Sequence, residues 1–571
     1  MKKFNYYKYL VIVLFLVVLL PACTDLTEEP FTVLTKENYF TDKSSVEAAV
    51  LRPYEHGFWC AWDGDRWLLQ ELTADHFVWT QKGKHGWDEG QWVRLHNHNW
   101  DYLQNQVNGS WVGPYQGIAQ INNLLIDFST LDFVAIGVTE AEKNNFIGEL
   151  RALRVWYYTF LIDFFRYVPI VEDITTLQAQ SSPQEVFDYM EKEIKECIPG
   201  LSQKSVTGRF NQASAAALLV RIYLNAEKWT GNSKYNECAL VAQEIIDGKY
   251  GAYSIDPDYR GPFQSLVGEM SPENIFEMPR KYNVYPKDSQ WSYDAFHHYK
   301  SSSILDTDGR NGYNGIHLTP SRDLEGNLYK YEMGMPYEKY ADVDFRKQNY
   351  EVINSKGETK GFFLIGPQFE FDREKGYGYD QSKPVMGSEE WTGQQLNFVD
   401  QIGRFSEKPG GRWSEGSAVT TGEENSGVRL VKFGPLSYTH GLFFNNAMPE
   451  IRLAEIYYSL AECKYRTGDK TGAAKLLDAV RKRNYPEDEW SKYSYEQNLN
   501  KLNDQEFIDE WGREFIGEHR RRTDLIRWGR FAEAWWDKDV DKTDKDYEIF
   551  PIPSRILNSN PLLKQTTRGW E

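Results

Sequence analysis

Between Ile451 and Arg483 two amphipathic helical stretches are joined by Thr467-Gly468-Asp469-Lys470, and this pair constrains the fold more than any other part of the chain. Ala461, Gly468 and Ala473 are small enough to let two helices approach. Tyr457, Leu460, Leu477 and Val480 fill the groove toward a next pair, and all seven fall at the helix-packing positions of the tetratricopeptide pattern. Such a pair cannot bury its faces alone, so several must stack. Further candidates occur upstream. Ser182-Pro183-x-Glu185 combines a cap, a first-position proline and a first-turn acid for a helix running to about Cys197. Ala213 to Ala226 and Tyr235 to Asp247 form another pair, closed by Gly248. Phe146 to Phe165 is apolar on most sides, and Val168-Pro169 is expected to end that helix. Ser44 to Tyr54 reads as helix, as does one long stretch from Asp504 through Phe507, Trp511 and Phe515 to Leu525 and Trp528. Gly512 and Gly517 each cost that stretch ~1 kcal/mol relative to alanine, so close backbone packing is expected there.

Two segments break the helical rhythm. Residues 56–111 hold eight of the 19 tryptophans among Gly, Asp and His, and read as loops and short strands. Residues 250–447 are rich in Gly, Pro, Tyr and Asp; irregular segments of this length usually carry function. The fold class expected is mainly α: tetratricopeptide-like stacked helix pairs with an irregular, loop-rich α/β ligand-binding lobe.

The N-terminus is a separate signal. Lys2, Lys3 and Lys8 precede the 11-residue apolar run Leu10 to Leu20, and Leu20-Pro21-Ala22-Cys23 resembles a lipobox. Cys23 is therefore the expected lipidation site, and multiple acyl chains at ~0.8 kcal/mol per buried CH₂ give stable membrane anchoring. Losing three lysines with the leader takes the formal net charge from −18 to −21. That sign repels a phosphate backbone, and no nucleic-acid partner is expected. Cys60, Cys197, Cys238 and Cys463 lack CxxC spacing. The last three lie on apolar helical stripes, which favours buried free thiols.

Short catalytic signatures such as HExxH, GxSxG and GxxxxGK[ST] are absent. His96-x-His98 and His297-His298 have no third metal ligand at a recognisable spacing. Asp306-x-Asp308-Gly309 lacks the remaining ligands of a calcium loop. No cofactor or metal is expected; a structural calcium is compatible with the sequence but not predicted by it. Glu510, Glu514 and Glu518 align at i+4, but Arg522 continues the stripe and Arg513, Arg520 and Arg527 recur every seven residues. This spacing predicts a salt-bridged packing helix, with Glu455 and Glu462 as further partners of those arginines.

In order along the chain, Cys23, Trp111-x3-Tyr115, Gly148-Glu149-Leu150-Arg151-Ala152, Ala215 to Tyr223 and Pro272-Glu273-Asn274-Ile275-Phe276-Glu277 resemble signatures of the SusD/RagB family of outer-membrane lipoproteins. Asp344-Phe345-Arg346, Ile451-Arg452-Leu453-Ala454-Glu455, Glu514-x3-Glu518-x-Arg520-x3-Asp524-Leu525-Ile526-Arg527-Trp528-Gly529 and Phe550-Pro551-Ile552-Pro553 complete the likeness. Arg555 and the ending Thr566-Thr567-Arg568-Gly569-Trp570 depart from it. The resemblance implies a leader at 1–22, a tether at 23–43, an N-terminal helical region at 44–249, a ligand lobe at 250–447 and a C-terminal helical region at 448–571. It further implies a cell-surface, outer-membrane, non-enzymatic protein that captures glycan and passes it to a SusC-like TonB-dependent transporter. Peptide or glycopeptide capture is the alternative, and a surface glycoside hydrolase or a purely structural lid are rival classes.

A sugar ring offers a flat face of C–H bonds to an indole while neighbouring polar groups bond its hydroxyls. Within the resembling region this selects Trp79, Trp87, Trp92 and Trp100, faced by Trp291, Tyr293 and His297, with Asp88, Arg94 and Asn97 for hydrogen bonds. Trp111, Trp156 and Trp528 lie on helical stripes and are assigned to the core.

Overall fold

The computed structural model describes residues 36–62, 65–266, 268–282, 291–388, 391, 393–405, 416–434, 437–565 and 568–569. The leader, Cys23 and Trp570 lie outside them. In chain order the elements are α1 (Lys43–Trp62), α2 (Asp65–Glu71), β1 (Phe77–Trp79), α3 (Gln91–His96), α4 (Asn105–Thr130), α5 (Glu140–Phe165), α6 (Pro183–Cys197), α7 (Gln212–Thr230) and α8 (Tyr235–Ile246). There follow β2 (Asn274–Met278), α9 (Trp291–Phe296), β3 (Ile316–Leu318), β4 (Met448–Arg452), α10 (Leu453–Arg466), α11 (Lys470–Arg481), α12 (Asp504–Glu514) and α13 (Arg521–Arg527). Among the described residues no helix is long and apolar enough to cross a membrane.

Each helix from α4 to α8 packs on the next, and α8 then packs on α10, which packs on α11. The stack therefore continues across the lobe, which is an insertion between two successive layers. Its neck is closed by β2 and β4, antiparallel with Met278 opposite Met448 and Asn274 opposite Arg452. Ala242, Ala461 and Ala473 are fully buried at these contacts, as the close approach of helices requires. Reciprocal capping boxes at Thr139/Glu142, Ser182/Glu185 and Asn211/Ser214 start α5, α6 and α7, each cap contributing ~1 kcal/mol.

Three expectations need correction. Residues 56–111 hold more helix than anticipated, because α1 runs on to Trp62 and α2 and α3 follow. The stretch from Asp504 is two helices: α12 stops at Glu514, and Gly517 (φ 76°) and His519 (φ 56°) turn the chain before α13. Gly517 serves that turn, and its carbonyl accepts a 3.0 Å bond from Trp67 Nε1. Gly512 does meet the predicted close approach, since a Cβ there would lie 2.6 Å from His76 Cε1. Lastly, α5 ends before Val168-Pro169, where Arg166 (φ 59°) bonds the carbonyls of Ile162 and Asp163 at 2.6 Å. Cys60, Cys197, Cys238 and Cys463 are buried free thiols.

The expected ion pairing is met in part, as a buried network that spans two helices and draws in cations from outside them. Glu510 accepts from Arg513 Nε at 2.9 Å and Tyr458 OH at 2.7 Å. Glu514 pairs with Arg452, Arg483 and Arg346, and Glu518 with Arg452 and Lys432. Glu455 meets Arg520 at 3.2 Å and Glu462 meets Arg527 at 2.8 Å, across the stacked helices. Burial alone would raise the Glu462 and Glu510 carboxyls, but the adjoining guanidiniums (Arg527 and Arg466; Arg481 and Arg513) reverse this and hold each at about 2. A folded-state value below the ordinary one gives stability that is complete above about pH 5 and lost as pH falls toward 2. Thermal unfolding at intervals across that window is expected to show a steadily falling midpoint. A Glu462→Gln variant is expected to show a lower midpoint at pH 6 and a shallower acid slope.

Candidate functional site

The aromatic segment and the central lobe are brought together by β1 and β3, which pair with Phe77 opposite Leu318 and Trp79 opposite Ile316. Lys82, buried, donates from Nζ to the Gly315 carbonyl at 2.9 Å, and the His85 and Tyr299 rings lie 5.7 Å apart. Residues 312–315 run along the end of α9, with Asn314 N bonded to His297 O at 2.7 Å and Gly315 N to Ala295 O at 3.0 Å. The lobe and the tryptophan-rich loop thus form one surface.

Trp87 is an exposed ring of that surface, at 48% exposure. Asp88, Glu89 and Gly90 follow it with φ of 41°, 57° and 73°, a left-handed turn whose two non-glycine residues cost of order 1–2 kcal/mol each. That strain holds the indole outward against Gly90, where a Cβ would lie 3.2 Å from the Trp87 ring and 3.7 Å from Arg94 Nη1. The Arg94 guanidinium is fixed beside it by the Glu89 carbonyl (2.8 Å) and Gln104 Oε1 (3.0 Å). Asp88 is exposed, and its Oδ2 accepts from Trp92 Nε1 at 2.6 Å.

Trp79 and Trp92 are not ligand-facing, correcting the expectation for both. They are 7% and 6% exposed and stack on one another at 4.4 Å with planes 10° apart. Trp79 is instead a wedge beneath the surface. A Cβ at Gly86 would lie 3.0 Å from its Nε1 on one side, and a Cβ at Gly315 2.6 Å from its ring on the other. Those glycines are required because the Trp87 turn and the turn bearing Tyr313 both close onto the same indole. Tyr313, 56% exposed and flanked by Gly312 and Gly315, is the ring that sequence reasoning missed. Its signal was the same as that of Trp87, an aromatic set between glycines. Beside it, Arg310 Nε donates to Asp294 Oδ1 at 2.8 Å.

Trp100 and His297 are corrected as well. Trp100 is 1% exposed and packs on Phe550 at 4.8 Å, so it fastens the C-terminal segment. His297 is buried beside Trp67 and Phe296, and burial lowers its imidazole to about 3, leaving it neutral. The side chains of Trp291 and Tyr293 lie outside the described residues; their backbone is in α9. Asn97 is exposed at the far end of α3 and lines a separate open cleft of about 670 Å³. Trp111 and Trp156 are core residues as assigned, and Trp528 is half-buried beneath the Arg466 guanidinium, 4.2 Å from its ring.

The residues weighed for metals have protein partners. His96 Nε2 meets the Trp536 carbonyl at 2.9 Å, and His98 lies between Thr73 O and the Asp541 carboxylate. His298 pairs with Glu424 at 2.9 Å. Asp306 accepts from Thr439 N at 2.9 Å and Asp308 from Tyr282 OH at 2.8 Å.

Residues 272–570 match the SusD family, and residues 64–224 match a family described as starch-binding and associating with the outer membrane. The chain is 24% identical over 516 residues to the starch-binding protein SusD of Bacteroides thetaiotaomicron, covering 87% of this chain and 83% of that protein. A laminarin-binding SusD-like protein superposes with a TM-score of 0.62 at 20% identity, over 92% of this chain and 99% of its own. The surface glycan-binding protein A from Bacteroides thetaiotaomicron in complex with laminarihexaose gives a TM-score of 0.62 at 20% identity, with 92% and 99% coverage. At those identities the structural likeness speaks to fold alone. The family match spans more than half of the 571 residues, and it agrees with the stacked helices and the inserted lobe: the chain belongs to the SusD family.

Proposed function

We propose that this protein is a non-catalytic glycan receptor, anchored through Cys23 on the outer face of the outer membrane, which captures oligo- or polysaccharide and passes it to a SusC-like TonB-dependent transporter. The observation that carries the glycan reading is the Trp87 turn: an indole held outward by a left-handed backbone, with a fixed guanidinium beside it and Tyr313 across the Trp79 wedge. Flat apolar faces with adjacent hydrogen-bonding groups suit a pyranose ring. The starch-binding relative and the laminarihexaose complex of a structural neighbour support the same ligand class. Glu510, Glu514 and Glu518, the stripe weighed as a hydrolytic pair, are engaged in buried ion pairs, and the starch-binding relative supports a binding role. The reading requires no cofactor.

Native affinity electrophoresis through starch, laminarin and a wider polysaccharide panel tests the glycan reading directly. Retardation by at least one neutral glycan, without release of shorter products on long incubation, is expected. Uniform migration through every gel would end it. For the anchor, wild-type protein is expected in the membrane fraction with an acyl mass increment on Cys23, and Cys23→Ala in the soluble fraction. Recovery of a TonB-dependent porin with the tagged protein from detergent extracts is the expected result for the transporter.

A further inference from the structure

The cleft at the C-terminal end of α3 is separate from the Trp87 surface, and its volume of about 670 Å³ is in the range of small-molecule and oligosaccharide sites. One wall is the Tyr329–Tyr331 pair, with ring centroids 5.9 Å apart. The turn 536–542 adjoins it, with Tyr329 packed against Trp536. That turn is rigidly built. Trp535 and Lys538 form a bridge, Lys538 Nζ lies 4.2 Å from the Trp535 ring centroid, and the same ammonium pairs with Asp541 at 3.0 Å. Asp537, at φ 54°, accepts from Val419 N at 2.7 Å, and Trp536 Nε1 donates to Ser417 at 3.0 Å. Asp541 is further held by His98 at 2.8 Å.

With Asp537, Lys538 and Asp541 occupied in this way, the groups presented to the cleft are Asn97, Asn99, Asp539, Lys542 and the Tyr331 phenol. They combine donors and acceptors around aromatic rings, and the one presented acid, Asp539, is balanced by the one presented lysine, Lys542. This suits hydroxyl-rich, uncharged ligands, since no net charge is offered to a sulfate or uronate. α3 has Trp87 and Asp88 just before its first turn and Asn97 just after its last, and its six residues rise about 9 Å.

We propose that this cleft is a second saccharide subsite, for neutral sugar residues, distinct from the Trp87–Tyr313 surface. The proposal shares with the proposed function only the ligand class. Hydrogen exchange followed by mass spectrometry, with laminarihexaose and maltohexaose as probes, tests both sites at once. With ligand at ten times its dissociation constant, amides of 536–542 are expected to exchange about tenfold more slowly. That protection is expected to persist in Trp87→Ala/Tyr313→Ala and to disappear in Tyr331→Ala/Asp539→Ala. Protection confined to 85–94 and 311–315 would overturn the second subsite and leave the principal one standing. Protection of 536–542 alone would do the reverse, and unchanged exchange throughout with both sugars would overturn both.

Discussion

Replacing Arg452 with alanine is expected to lower the free energy of unfolding by about 3–5 kcal/mol, the largest effect of any single substitution discussed. Its guanidinium bonds Glu273 at 2.8 Å, Glu514 at 2.7 Å and Glu518 at 2.8 and 2.9 Å, and lies 4.3 Å from the Phe515 ring centroid. Arg452 also ends β4 at the residue before α10, so one side chain ties the neck of the lobe to the last helices of the stack. Removing it leaves three carboxylates in a buried region with only Arg483, Arg346 and Lys432 to offset them. Urea titration should show the midpoint falling with an unchanged slope. Adding Glu518→Gln should recover part of the loss, because one stranded charge is removed. A loss below about 1 kcal/mol would mean that the remaining cations compensate and that the network is not cooperative.

The second large effect concerns ligand. Trp87→Ala/Tyr313→Ala is expected to weaken binding of the best-retained polysaccharide by about 30- to 100-fold, because central aromatic anchors carry most of a binding free energy. Both rings are about half exposed, so the thermal midpoint should stay within a few degrees of wild type. Calorimetry beside a melting curve separates the two quantities. Unchanged affinity would remove these rings from the site, and a collapsed midpoint would make the loss one of folding. Trp92→Ala should behave oppositely, costing stability first, because its ring supports Trp79 from below.

Helix pairing was legible because its determinants are local. A cap and an acid three residues on, as at Ser182 and Glu185, report a helix start with no knowledge of neighbours, and the alanines of α10 and α11 report close approach. Charge periodicity gave Glu510 with Arg513, Glu455 with Arg520 and Glu462 with Arg527, but not the partners of Glu514 and Glu518, which are Arg346, Arg452, Arg483 and Lys432. The site was less legible. Trp79, Trp87, Trp92 and Trp100 occur in similar company of Gly, Asp and His, yet one ring is displayed, two stack under it and one fastens the C-terminal segment. For Trp79 and Trp100 the role is decided by contacts more than 200 residues away, Gly315 against Trp79 and Phe550 against Trp100. Local composition has no term for that.

The pairing of β1 with β3 has a consequence for the nascent chain. Thr80 and His317, bonded at 2.9 Å, are separated by 237 positions in sequence, and the β1–β3 ladder beside them joins the Trp87 turn to the turn bearing Tyr313. Closing so long a loop is costly before its contacts form, which places completion of the Trp87–Tyr313 surface late in folding. Until the inserted lobe docks, Trp79 lacks its Gly315 contact and Trp87 stands without Tyr313.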